Sequence, residues 1–107
     1  MKYFSAEKVR PKFGFVIGDK KHTVQLMPMK DLIEWDIDAR VEACLALEGK
    51  AREKALVNEK VEFIVASSDM EKEDVLALDG HTIQFLYLLA NGIDPEASDQ
   101  FEIEPGE

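Results

Sequence analysis

Residues Thr82 to Gly92 read TIQFLYLLANG, a stretch with helical spacing and no polar side. At about 100° per residue, Ile83, Leu86, Tyr87 and Ala90 share one face, while Phe85, Leu88 and Leu89 fall on the opposite one. A helix at the surface of a small domain buries one stripe and wets the other. Here both sides need cover. The helix must therefore sit between two other layers, or it must keep an oily face for another molecule.

The material available for covering it is limited. A chain of 107 residues makes one domain, and at this size folding buries only roughly 60 to 70% of the surface the unfolded chain exposes. Upstream, KFGFVIGDKKHTVQL reads as a β-hairpin over residues 13–26: an apolar β-prone run, a Gly-Asp turn with two lysines, then alternation through Val24 and Leu26. Two strands alone are marginal in water, so the hairpin has to lie on the helices.

Pro28 suits the first turn of a helix, because its missing N–H would be unpaired there anyway, and the spacing predicts one helix over about 29–47. Its broad stripe of Ile33, Ile37, Val41, Cys44 and Leu45 is the expected core face. A second stripe, Leu32, Trp35, Ala39, Ala43 and Ala46, lies on another side with Glu34, Asp38 and Glu42 along one flank. Small residues permit close approach by another element, and tryptophan is a frequent anchor in buried contacts.

Gly49 breaks that pattern, and a second helix is predicted over about 50–67, with Val57, Val61, Ile64 and Val65 at helical spacing. A third, over about 70–78, has Ser68 or Asp69 as candidate N-cap and acids in its first turn. Asp79 recaps the chain for a last helix over 81–91, ended by Asn91-Gly92, a left-handed C-cap signal. The expected fold class is α+β, predominantly α, with an N-terminal hairpin packed on a small bundle of three to four helices. This single domain, residues 13–93, lies between a flexible basic arm at 1–12 and an acidic tail at 94–107.

Charge narrows the function classes. The net charge is −9, but it is segregated: residues 1–30 hold seven Lys/Arg against two acids, residues 31–93 six against fourteen, and residues 94–107 none against six. A field of negative sign repels phosphate and anionic lipid, so general nucleic-acid or membrane-surface binding is not expected. The longest apolar run, FLYLLA, falls far short of the ~20 residues that span a bilayer. The start MKYFSAEKVRPKF lacks the apolar region of a secretory signal. Cys44 is the one cysteine and cannot form an internal disulfide, so a reducing cytoplasm is the expected compartment.

The residues that carry chemistry are few. His22, His81 and Cys44 lack the ligand spacing of a zinc site. The acids of EWDIDARVE lack the glycine turn and twelve-residue loop of a calcium hand, and they read as a solvated ridge. No G-x-S-x-G elbow, Walker loop or G-x-G-x-x-G occurs. The expectation is a protein that is not an enzyme and needs no cofactor or metal.

The apolar surplus then becomes the functional lead. Leu32, Trp35, Ala39 and Ala43 on one helix, with Phe85, Leu88 and Leu89 on another, would form a patch large enough to mark an association surface. These seven are the candidate partner-binding residues. Their expected partner is an amphipathic helix or a second copy of the chain.

The order of parts resembles that of the tail assembly chaperones of lambda-type long-tailed bacteriophages. The likeness rests on the hairpin FGFVIGDKKHTVQL leading through MPMKDLIEWD into a long helix, the second helix near KVEFIVASS, and EKEDVLALDGHTIQFLYLLANG followed by a charged tail. It covers roughly residues 13–95 and is one of layout, with no catalytic motif to transfer. It implies a non-enzymatic, self-associating protein of the infected host's cytoplasm. Such a protein would coat the apolar helices of a tape measure protein until tail tube subunits polymerise around it. The acidic segments motivate a different reading, an inhibitor that imitates nucleic acid and blocks a basic host protein.

Overall fold

A computed structural model describes residues 1–95, and the expected acidic tail beyond Pro95 lies outside the described residues. The elements run α1 (Ala6–Val9), β1 (Lys12–Ile17), β2 (Lys20–Gln25), α2 (Met29–Trp35), α3 (Ile37–Leu45), α4 (Gly49–Ala66), α5 (Lys72–Leu76) and α6 (Gly80–Ala90). The class is α+β and mainly helical, as the sequence predicts.

The hairpin forms where its residues require it. β1 and β2 pair antiparallel, from Lys12 opposite Gln25 to Ile17 opposite Lys20. Gly18 takes the first of two turn positions with φ +64°, which the mirror-image hairpin turns favour and L side chains resist. Strand alternation turns Phe13, Phe15 and Ile17 toward the helices and leaves Lys12 and Val16 outside. Val24, on the inner face of β2, is fully buried.

The free side of β2 is stitched to the loop after α4. The Gln25 N–H donates to the Ser67 carbonyl at 2.8 Å, and the Asp69 N–H donates to the Thr23 carbonyl at 3.3 Å. The Asp69 carboxylate accepts from the Thr23 N–H at 3.1 Å and lies 3.2 Å from His22 Nδ1. Ser68 is also engaged, its hydroxyl donating to the Ile64 carbonyl at 2.6 Å. Both residues expected to cap the next helix are thus occupied, and α5 begins later, at Lys72, with the Asp74 carboxylate accepting from the Glu71 N–H.

α6 answers the question its sequence raises. Ile83, Leu86, Leu89 and Ala90 are buried together with Val61, Phe63 and Ile64 of α4, Val75 of α5 and Val24 of β2. On one flank Tyr87 meets Phe63 edge to face, with ring centroids 5.6 Å apart. On another, Phe85 lies 6.2 Å from Phe15 of the hairpin. The helix is central: α4 covers one side and the hairpin the other.

The ends of α6 follow the predicted chemistry. Asp79 accepts from the Thr82 N–H at 2.7 Å. Gly92, at φ +77°, sends its N–H to the Leu89 carbonyl, and the Ile93 N–H reaches the Leu88 carbonyl. This bond pattern is a Schellman C-cap.

Between β2 and α4 the chain departs from expectation. The single helix predicted over 29–47 is two, because Asp36 adopts the left-handed conformation at φ +50° and ψ +67°. Its N–H closes α2 on the Leu32 carbonyl at 3.3 Å, and its carboxylate opens α3 by accepting from the Ala39 N–H at 3.3 Å. Asp tolerates this backbone region better than most side chains. The basic arm also contains more order than expected: residues Ala6–Val9 form one helical turn, and the Arg10 guanidinium lies 2.7 and 2.8 Å from the Gln25 side-chain amide, whose oxygen accepts from it once the amide is turned.

Two carboxylates tie this fold to pH. The Thr23 N–H, supported by His22, holds the Asp69 carboxyl below its ordinary range, and the Thr82 N–H does the same for Asp79. A lowered folded-state pKa adds stability above the unfolded value, near pH 4, and loses it as pH falls through the folded value. Thermal melts of Asp69→Ala and Asp79→Ala should therefore lie below wild type at pH 7, with the gap closing as the pH is taken below about 4. A gap that widens in acid would refute both roles.

Candidate protein-docking surface

The break at Asp36 redistributes the two stripes read from the sequence. In α2 the inward residues are Leu32 and Trp35, both half-buried against the core. In α3 they are Ile37, Val41 and Cys44, of which Cys44 is buried. Each predicted stripe is thus inward in one helix only. The complementary residues are left outside: Ile33 is 70% exposed, Met29 69% and Leu45 50%.

Trp35 is not an open anchor. Its ring meets Phe63 edge-on at a centroid distance of 5.8 Å, and the Arg40 guanidinium stands 3.8 Å from the ring centroid. Arg40 is itself held, with Nε donating to the Trp35 carbonyl at 2.8 Å and Nη1 lying 3.3 Å from Glu59 and 3.7 Å from Glu62. A cation over an indole face contributes roughly 0.5–2 kcal/mol. The cluster pins α2 and α3 to α4.

The other candidates divide in the same way. Phe85 and Leu88 are half-buried, Phe85 against Phe15 of the hairpin, and Leu89 is a core residue at 4% exposed. Only Ala39 and Ala43 stand on the surface. The seven residues therefore do not form one patch; five of them help to cover the chain's own interior.

The exposed apolar surface lies elsewhere. A groove of about 800 Å³ runs between the first half of α4 and α5, floored by Val57 and Leu76 and rimmed by Lys50, Glu53 and Lys54. Lys50, Glu53, Lys54 and Val57 share one α4 face by their spacing. α5 is only five residues long, too short to cover the face of α4 along which it lies. Val57 and Leu76 consequently stay 48% and 52% exposed. The periodicity reading set Val57 at helical spacing with Val61, Ile64 and Val65 and did not single out Leu76. The short span of EDVLAL between Met70 and Asp79 was the available signal.

A second cleft, of about 630 Å³, lies between β2, α2 and the end of α4, with Arg10, Arg40, Asp31, Glu34 and Asp69 around it. Cations and acids alternate there, so it offers no single-sign field to a charged ligand. Ser67 Oγ and Trp35 Nε1 are buried at its margin with no hydrogen-bond partner among the described residues. His22 is engaged by Asp69. Among the described residues no group of three or more His, Cys, Asp or Glu side chains is placed to hold a metal ion. Nor is any described helix long and apolar enough to cross a membrane.

These placements set two substitutions apart. Leu89→Asp should cost about 3 kcal/mol or more, since it cuts a core side chain and buries a carboxylate, and should collapse the far-ultraviolet helical signal well below the wild-type melting temperature. Val57→Asp should leave that signal and the melting temperature close to wild type. Equal melting temperatures for the two variants would contradict the burial assigned to α6.

No family model, curated protein or solved structure matches the chain.

Proposed function

We propose that the chain is a non-enzymatic assembly chaperone of the phage tail type, which self-associates and shields an apolar helical partner of the tape measure kind. The observation that carries this reading is the open groove of α4 and α5, with the exposed apolar side chains Val57 and Leu76 among its lining. An amphipathic helix laid into such a groove buries its i, i+3, i+4 and i+7 side chains. Lys50 and Lys54 on the rim suit a helix whose apolar stripe is flanked by acids. The exposed pair Met29 and Ile33, one turn apart on α2, provides a second contact for another copy. The family itself is suggested by the resemblance in sequence layout alone. A large negative charge keeps such a sticky protein dispersed in solution.

The test uses a fluorescent amphipathic peptide with a leucine stripe flanked by glutamates. Burying one valine or leucine side chain is worth roughly 1.5–3 kcal/mol, so Val57→Asp or Leu76→Asp should weaken peptide binding by about tenfold or more. Light scattering behind a sizing column should meanwhile report a wild-type oligomer that Ile33→Asp reduces. A wild-type monomer that also ignores the peptide would overturn the proposal.

The exposed acids Asp38 and Glu42 on α3 favour the second reading, an acidic decoy for a basic host protein. Its signature is different. Binding to a basic partner would collapse between low and moderate salt, because exposed charges are screened over ~10 Å at 0.1 M, while peptide binding in the groove would persist.

A further inference from the structure

We propose that the open edge of β1 pairs with the same edge of a second copy of the chain, joining two hairpins into one antiparallel sheet across a two-fold axis at Gly14. This goes beyond the chaperone reading and does not rest on it. The two edges of the hairpin are treated differently. Along an antiparallel ladder, residues that bond to the neighbouring strand alternate with residues whose N–H and C=O groups point away from it. The Leu26 N–H bonds to the Pro11 carbonyl, so in the observed register Phe13, Phe15 and Ile17 bond to β2. The outward groups are those of Lys12, Gly14 and Val16 on β1, and of Thr23 and Gln25 on β2. Thr23 and Gln25 bond to residues 67–69. Among the described residues, no hydrogen bond takes up the outward groups of Lys12, Gly14 and Val16. A strand edge in this state is a template for another strand.

The edge is complementary to itself. With Gly14 opposite its own counterpart, Lys12 of each copy faces Val16 of the other, and every outward N–H meets a carbonyl. No other antiparallel register engages them all. On the inner face the same register sets Phe13 across from Phe15 of the second copy, at a non-hydrogen-bonded position where facing side chains stand closest. The two copies of Lys12 lie about 14 Å apart along the strands, beyond the ~10 Å over which exposed charges act at 0.1 M salt. Within one copy nothing requires a glycine at position 14: its φ is not positive, and a β-carbon there would meet nothing within 4 Å. Glycine in mid-strand weakens a sheet, and it is common where another backbone approaches.

The pairing also closes. β2 of each hairpin is already bonded on its far side to residues 67–69, so a sheet in the order β2-β1-β1-β2 has no free edge, and its two-fold contact stops at two copies. The edge is six residues long, a small contact of the kind that dissociates readily, so one and two copies should exchange with concentration. Charge separates this partner from an acidic strand of another protein. The two edges carry the same sign, with Lys12 on each, so added salt should tighten self-pairing and would weaken an acidic partner's hold.

Amide hydrogen exchange on the full-length protein, read residue by residue by NMR over a concentration series, tests this. The Gly14 and Val16 amides should gain protection as concentration rises. A sample mixing differently labelled chains should show contacts from Phe13 of one chain to Phe15 of another. Val16→Lys sets lysine against Lys12 of the second copy at both ends of the pair and should weaken association by about tenfold, whereas Val16→Glu should strengthen it. Val16 is exposed, so α4 and α6 should keep their protection in both variants. Val57→Asp and Ile33→Asp, which probe the groove and α2, should leave the strand contacts in place, so failure of the chaperone reading would not remove them. Gly14 and Val16 amides that exchange freely at every concentration would overturn the proposal. So would equal effects of Val16→Lys and Val16→Glu, or an association that weakens as salt is added.

Discussion

The enclosure of α6 is the contact on which the rest of the fold depends. A helix that is apolar on opposite sides is stable in a short chain only if two layers close on it. Phe63 and Tyr87 form the contact with α4, and Phe15 and Phe85 form the contact with the hairpin. Either contact alone would leave several large side chains in water, at roughly 25 cal/mol for each Å² of apolar surface. The hairpin therefore serves as a lid for α6, which gives a two-stranded sheet the packing surface it needs. Its bonds to residues 67–69 fix the position of that lid, so the loop after α4 contributes to the core without entering it.

What could be read from the sequence was what single residues or dipeptides encode. The Gly18-Asp19 turn, the Asp79 cap and the Asn91-Gly92 stop each carry their own backbone or hydrogen-bond requirement, and each forms where it was expected. Periodicity also found both stripes of the α2–α3 region. It could not assign them, because one aspartate in the left-handed region changes the phase between the two helices and period analysis assumes that phase is continuous. Asp36 resembles the other twenty-one acids in the chain until its φ is known. The consequence for the candidate site was large: Leu32 and Trp35 went inward, while Ile33 and Leu45 came out.

The misplacement of the apolar surplus has the same origin. Part of it, on α6, was absorbed by the hairpin, a long-range contact that no local pattern announces. The real surplus arises from a mismatch of lengths. α4 runs eighteen residues and α5 five, so Val57 is left in an open groove though its spacing matches Val61 and Ile64. The association surface we infer is thus built from residues on an otherwise ordinary core stripe, at the end where its cover runs out. Its rim carries Lys50 and Lys54 together with Glu53.

The enclosure of α6 is open to direct measurement by hydrogen exchange on the isolated wild-type protein. The α6 amides from Ile83 to Leu89 should be among the slowest in the molecule, exchanging only through global unfolding, with free energies that match the denaturant-derived stability. If those amides exchanged through local openings, faster than the second half of α4, the helix would not be held between two layers, and the fold and docking surface described above would both be wrong.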